Sequence, residues 1–487
     1  MNQLIRNLQP TLVWQIFDDI TAVPRPSKHE EKIHAWLVEF AKQHSLDYRT
    51  DKAGNVTIFK AATPGMENRP TVVLQSHMDM VCEKNADTAH DFDRDPIDTY
   101  IDDKGWVRAR GTTLGADCGI GMAAALAVLV DPTITHGPIE ALFTVDEETG
   151  LTGAFNLGEG MITGSCLINL DSEDEGELFI GCAGGVDTVA SLTYSTEAAP
   201  ACHNFFRVDV RGLKGGHSGD NINDGLGNSN RLLARLLWQA ERLLGLRLVR
   251  FDGGNLRNAI PREAWAVVAV PEMHSDEFIE LFTTFRREVQ AEYAATDAGL
   301  DMILSAAEPA EVVDVDTTRR LLCAVVGVPN GVLAMSASLE GLVETSTNLA
   351  SVKFVETEGE HNIVITTSQR SSVESAKRAA AQAVESVFSL AGAVVTHSDG
   401  YPGWTPNTSS HILAVTAEAY RRLFATEPKV RAIHAGLECG LFLEKYPGLD
   451  MVSFGPTLRG VHSPDERLEI STVDKFWRLL TEVLATI

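Results

Sequence analysis

Along the first third of the chain, apolar residues come in short unbroken runs: NVTIFK (55–60), PTVVLQSHMD (70–79), IEALFTVDEE (139–148) and CLINLD (166–171). Runs of this length without alternation predict strands buried on both faces, as in a parallel or mixed sheet. Helical patterns separate them. One is EEKIHAWLVEFAKQHS, preceded by Ser27 and Glu30 at capping-box spacing; another is CGIGMAAALAVLVD (118–131). The alternation predicts an α/β domain with a largely parallel or mixed sheet flanked by helices.

Near residue 185 the rhythm changes. HNFFRVDVRGL (203–213) and EAWAVVAVP (263–271) alternate apolar with polar positions, and NIVITTSQR (362–370) supplies a further strand. Long amphipathic helices are expected over 226–245, 276–295 and 372–392. This pattern predicts an α+β domain whose sheet is covered on one face. The turn-rich stretches CAGGVD (182–187) and HSDGYPGWTPN (397–407) bracket it. After 407 the first rhythm resumes, with a helix, a strand at DMVSFGP (450–456) and a last helix from about 473. The expected organisation is therefore a first domain over 1–185 and 401–487, interrupted by an inserted domain over 186–400. A length of 487 residues fits two domains.

Composition narrows the function. With 41 Lys and Arg against 67 Asp and Glu, the formal charge is −26, which disfavours nucleic acid and anionic membrane surfaces as partners. The seven cysteines are scattered and form no CxxC pair, so neither a disulfide framework nor a thiolate metal site is indicated. The opening residues show no basic segment followed by an apolar core, and the apolar run at 119–130 is shorter than the about 20 residues a bilayer span needs. A soluble cytoplasmic protein is expected.

Polar residues gather where the buried runs end, which is where α/β sheets bind ligands. His77 and Asp79 follow VVLQS. Asp117 precedes a helix. Asp146, Glu147 and Glu148 follow IEALFTV. Asp171 follows CLINL, and His462 follows SFGPTLRGV. Mixed imidazole and carboxylate donors suit a borderline cation, zinc first, with cobalt or manganese as alternatives. Two such ions held by His77, His462, Asp117, Asp171 and one glutamate of the triplet would carry one net positive charge. If Asp117 bridged them, each would have three protein ligands and an open position. His77 and Asp79 are two apart, so they project to one side, and Asp79 can fix the imidazole tautomer. On a strand, Asp146 would lean to the same face as Glu148 and opposite Glu147.

The segments SHMDMV, GTTLGADCGIGMA, FTVDEETG, NLDSEDEGE, KGGHSG and FGPTLRGVHSPDE, in this order, resemble the aminoacylase/carboxypeptidase family of co-catalytic zinc peptidases. NAIPREA (258–264), YPGW (401–404) and HAGLECGLF (434–442) resemble the members that act on free dipeptides. The resemblance spans essentially the whole chain. It implies that His77, Asp117 and Asp171 hold one ion, and that Asp117, Glu148 and His462 hold the other. Asp79 then orients His77, Glu147 is the general base, and the bond between Asp117 and Cys118 is cis. It implies that the inserted domain is a lid that dimerises. There, His217 would stabilise an oxyanion and Arg370 would clamp a substrate carboxylate, with Asn258, His434 and Gly436 as further contacts. The expected activity is hydrolysis of unblocked dipeptides, Xaa-His substrates such as carnosine included, in a homodimer. A tripeptidase or an N-acyl-amino-acid amidohydrolase would share the chemistry and differ in its pocket.

Overall fold

The structure, a computed structural model, describes residues 2–357 and 359–487. The chain divides into two compact units, one of Met1–Gly181, Pro406–Ala432 and Glu438–Ile487, the other of Cys182–Thr405 and Ile433–Leu437.

The first unit is built on an eight-stranded mixed sheet. Its centre is parallel: Val72–His77 lies between Ile139–Thr144 and Cys166–Asn169, and the latter pairs in parallel with Asp450–Ser453. Asp47–Thr50 and Val56–Lys60 extend one edge antiparallel. Every residue of Val72–His77, Ile139–Thr144 and Cys166–Asn169 is buried, as the unbroken apolar runs require. The helix Ala116–Val130 is apolar nearly all round and correspondingly buried; it packs on the helix Thr11–Thr21 and on Val72–His77. A small four-stranded sheet, Leu458–Arg459, Arg467–Glu469, Trp106–Ala109 and Thr99–Ile101, has no counterpart in the sequence reading. Its strands are two to four residues long, too short for a periodic signal.

The second unit carries a nine-stranded antiparallel sheet. The helices Ser229–Leu244, Ser275–Glu292, Val315–Gly327 and Glu374–Leu390 share one apolar core with it, including Leu236, Phe251, Phe278, Leu321, Ile365 and Phe388.

Two local expectations fail. The capping box does not form: the helix Glu31–Gln43 has no side-chain cap. The Ser27 hydroxyl instead donates to Asp79 at 2.8 Å, and Glu30 accepts the backbone N–H groups of Lys28 and Asp146. A buried carboxylate at Asp79 competes better for the hydroxyl than a solvated helix end does. The strand expected to run to 148 ends at Thr144. Asp146 is left-handed (φ 50°), and Glu147–Gly150 is a single helical turn, so no strand alternation relates the three acids.

Candidate metal centre

Because the three central strands run parallel, their C-terminal ends lie along one edge of the sheet. His77 ends the first, the turn bearing Glu147 and Glu148 follows the second, and Asp171 follows the third. Asp117 comes from the start of the helix Ala116–Val130, where its backbone departs from helical geometry and its bond to Cys118 is cis. His462 comes from the loop between Leu458–Arg459 and Arg467–Glu469, which the small sheet closes into a hairpin.

These side chains converge. His77 Nε2 lies 3.1 Å from Asp117 Oδ1 and 3.3 Å from Asp171 Oδ1. His462 Nε2 lies 3.1 Å from Asp117 Oδ2 and 2.9 Å from Glu148 Oε2. Asp117 thus turns one oxygen to each imidazole, making two donor sets of one nitrogen and two oxygens that share its carboxylate. Glu148 Oε1 is buried without a hydrogen-bond partner. A divalent cation at the focus of each set would satisfy these atoms with donors that zinc-like ions accept, so the residues fit a two-ion centre. Cys118 also lies beside His77 and Asp171. Burial raises its thiol pKa well above the ordinary value, and the thiol donates to the Leu170 carbonyl, so it is a poor ligand.

The charges are strongly coupled. Burial opposes a charge on His77, but Asp171, Asp117 and Asp79 outweigh it and raise the imidazole pKa well above its usual value. Hydrogen bonds to Asp117 and Glu148 raise His462 to about 11. Burial raises Asp171 to about 6 and pushes Glu147 well above the usual carboxylate range, with Asp171, Glu438 and Glu148 adding to the effect at Glu147. Asp117 falls well below it: burial works the other way, but two imidazoles hold its negative charge.

Around this cluster lies a shell that sequence reasoning located only at Asp79. Asp79 is fully buried; its Oδ1 lies 3.2 Å from His77 Nδ1, and it accepts from Ser27 Oγ and the backbone N–H groups of Glu147 (3.1 Å) and Glu148 (3.3 Å). One carboxylate therefore sets both the His77 tautomer and the turn that carries the two glutamates. Arg25, 1% exposed, donates to the carbonyls of Met78, Asp79 and Gly115. Glu466 accepts the N–H groups of Leu114, Gly115, Ala116 and Asp117 at 2.7–3.3 Å, clamping the backbone that carries Asp117. Glu438 is buried and accepts from Gln75 Nε2 (2.6 Å) and Thr144 Oγ1 (2.8 Å); burial raises its pKa to about 8. Glu438 and Glu466 lie within the segments HAGLECGLF and FGPTLRGVHSPDE that carry the resemblance, but neither had a role of its own in the sequence reading.

Asp146 is not part of the centre. It is buried and accepts the hydroxyls of Thr149 and Thr152, tying two short helical turns together. Glu30, Asp79 and Asp146 lie close enough to suggest a third cation site, but hydroxyl and N–H donors already engage all three carboxylates.

The other sequence candidates fall in the second unit. His217 sits on a two-residue ribbon paired with Ala259–Ile260, with Nδ1 3.2 Å from Asp220; the Asn258 carbonyl beside it accepts from Ser218. Arg370 is buried rather than a surface arginine, and its Nη1 donates to the Tyr401 hydroxyl at 2.9 Å. His434 is buried with Nε2 2.7 Å from Ser346 Oγ. Burial, then the Arg370 charge, lowers its pKa to about 4, so it is neutral. Gly436 lies against the Tyr401 ring.

The fold and the cluster of two imidazoles sharing one carboxylate are those of a metallopeptidase, and residues 73–486 match the model of peptidase family M20/M25/M40. The chain belongs to this family. It is 46% identical, over 99% of both chains, to the cytosol non-specific dipeptidase of Escherichia coli (strain K12). It is also 46% identical to aminoacylhistidine dipeptidase from Vibrio alginolyticus, whose crystal structure it matches with a TM-score of 0.92 over 99% of this chain and 98% of that one. Aminopeptidase PepT from Bacillus cereus, at 17% identity and a TM-score of 0.62 over 98% of each chain, shares the fold. Among the described residues, no helix is long and apolar enough to cross a membrane.

Proposed function

We propose that this chain is a metal-dependent dipeptidase that hydrolyses unblocked dipeptides, Xaa-His substrates included. The observation that carries the reading is the shared carboxylate of Asp117, one oxygen facing each histidine. In this reading His77, Asp117 and Asp171 hold one ion, and Asp117, Glu148 and His462 hold the other, with zinc as the resident metal. When bound, such a pair supplies Lewis acidity toward a peptide carbonyl and lowers the pKa of water to near neutrality.

The chain's own residues do the rest. Asp79 holds the proton of His77 on Nδ1 and so leaves Nε2 free as a donor. Glu147 takes a proton from the attacking water and delivers it to the leaving amine. Its amide is anchored on Asp79, which fixes where the side chain starts while leaving the carboxylate free to move. The burial that raises its pKa suits a group that must hold a proton between the two transfers. We assign the second unit to substrate contacts: His217 to the developing oxyanion, Arg370 to the terminal carboxylate, and Asn258, His434 and Gly436 to the walls. A cytoplasmic homodimer completes the proposal, with sedimentation as its check.

Glu147→Gln is expected to keep its full metal content and lose about 10²–10⁴-fold in turnover. Metal analysis and kinetics on a panel of dipeptides, tripeptides and N-acetyl amino acids, carnosine among them, provide the test. Near-normal turnover by the variant would remove Glu147 as the base. A preference for N-acetyl substrates or tripeptides would replace the dipeptidase reading with an amidohydrolase or tripeptidase one.

A further inference from the structure

Arg370 does not reach its position unaided. It lies on the strand Glu360–Ser371, directly opposite Gly185 on Gly184–Thr193, and Gly185 in turn pairs with Tyr401. Tyr401 N donates to the Gly185 carbonyl at 2.9 Å, and Gly185 N donates back to the Tyr401 carbonyl at 3.0 Å. Directly paired residues point to the same face of a sheet, so Arg370 and Tyr401 flank a position that has no side chain. The Tyr401 ring occupies that lane. A Cβ added at Gly185 would fall 2.7 Å from ring atoms Cε1 and Cζ and from Oη; one added at Gly436 would fall 2.8 Å from Cε2 on the other side. Two glycines thus form the slot that holds the ring, and Lys377 Nζ grips the Tyr401 carbonyl at 2.5 Å.

The slot aims the phenol at one nitrogen of the guanidinium. Nη1 donates to Oη, while Nε is buried with no hydrogen-bond partner. An arginine can meet a carboxylate through its Nη1–Nη2 end or through its Nε–Nη2 edge. Nη1 spends one of its two N–H groups on the phenol, and the unpartnered Nε leaves the Nε–Nη2 edge open to a carboxylate. A buried N–H without a partner costs roughly 1–3 kcal/mol, so an unpaired Nε on that edge is an observation in its own right that points to an anion.

We propose that Tyr401 is a positioning residue for substrate selection: held between Gly185 and Gly436, it fixes Arg370 so that its Nε–Nη2 edge receives the free carboxylate of a dipeptide. This rests on the assignment of Arg370 to that carboxylate. It adds a reason for Gly185 and Tyr401, whose roles the catalytic reading leaves open, gives Gly436 a second role beside the pocket wall, and makes Tyr401 a determinant of the preference for a free C-terminus.

The zinc-loaded full chain tests it with a dipeptide and the C-terminal amide of the same dipeptide. The readout is the ratio of kcat/KM for acid over amide, which does not depend on the fraction of active enzyme. Tyr401→Phe keeps the ring and removes the acceptor. It is expected to lower the ratio roughly three- to tenfold, the worth of one positioning hydrogen bond, through KM for the acid with kcat nearly unchanged. Gly436→Ala, which would place a Cβ 2.8 Å from ring atom Cε2 and 3.3 Å from the hydroxyl oxygen, should move the ratio the same way by displacing the phenol. In an Arg370→Ala background, Tyr401→Phe should have no further effect. Equal losses on acid and amide would make Tyr401 merely structural and overturn the proposal, as would an effect that persists without Arg370. If Arg370→Ala alone left the ratio unchanged, the carboxylate assignment itself would fall, and that single variant tells the two failures apart.

Discussion

Asp146, Glu147 and Glu148 are adjacent in sequence and differ in every physical respect. Asp146 accepts two threonine hydroxyls, Glu148 faces an imidazole, and Glu147 is buried beside other carboxylates. Glu438 presents a fourth environment, a buried carboxyl whose Oε2 takes hydrogen bonds from a side-chain amide and a hydroxyl. Its folded pKa, about 8, lies above the ordinary 4.5. For a group raised on folding, stability is full below the unfolded pKa and is lost as pH rises through the folded one. The metal-free chain should therefore lose stability from about pH 4.5 to pH 8 through this residue, and Glu438→Gln should lose less over the same window. Urea midpoints at pH 5 and pH 8 for both proteins provide the measurement; parallel slopes would mean that Glu438 is ionised in the fold. At this scale the residues that converge were legible, because His77, Glu148 and Asp171 come just after buried apolar runs and Asp117 opens an apolar helix. Ser27, Arg25, Glu438 and Glu466 were not, because each acts through contacts 50 to more than 350 residues away that no local pattern encodes.

The helix Ala116–Val130 shows how an element delivers a side chain. Its start is clamped by Glu466, and its second turn passes so near the end of the third parallel strand that a Cβ at Gly121 would meet the Leu170 carbonyl at 2.5 Å and the Leu170 side chain at 3.0 Å. Leu170 immediately precedes Asp171, and Gly121 lies four residues past Asp117. Gly121→Ala raises helix propensity by about 1 kcal/mol, but the clash is with backbone, so overpacking at about 1–3 kcal/mol wins. The expected outcome is a lower melting temperature together with weaker metal retention, because the shift separates Asp117 from Asp171. Dialysis against a chelator followed by metal analysis checks it; a stabilised variant with unchanged retention would show that the strand end yields freely. The strands at this centre could be read because they are apolar throughout. Val343–Thr357, the longest strand of the second sheet, could not, since it buries Thr345, Ser346, Thr347 and Asn348 and so lacks both an apolar run and clean alternation. Its polar residues have partners that only the fold supplies, Ser346 on His434 and Asn348 on the Ala259 carbonyl.

For the molecule as a whole, the two units differ in what a metal ion can do for them. All seven residues of the proposed centre and its base, His77, Asp79, Asp117, Glu147, Glu148, Asp171 and His462, belong to the first unit, and the second has its own apolar core. A ligand that binds only the folded state stabilises by RT ln(1 + [L]/Kd), about 2.7 kcal/mol at a hundredfold excess over Kd. That energy acts on the cooperative segments that hold the ligating atoms. Without cations, clustered carboxylates in a chain of net charge −26 oppose one another, so the gain on loading should be concentrated there. Adding zinc to the metal-depleted chain should slow amide hydrogen exchange over 72–79, 114–121, 145–150, 169–173 and 458–467, and leave the strands 203–211, 264–271 and 360–371 nearly unchanged. Sulfate at matched ionic strength serves as the control, since screening alone relieves repulsion without bridging the two histidines. If sulfate reproduced the protection, the carboxylates would be a charged patch rather than a ligand set. If zinc protected the second sheet as strongly as the first, the ligating side chains would have been assigned to the wrong unit.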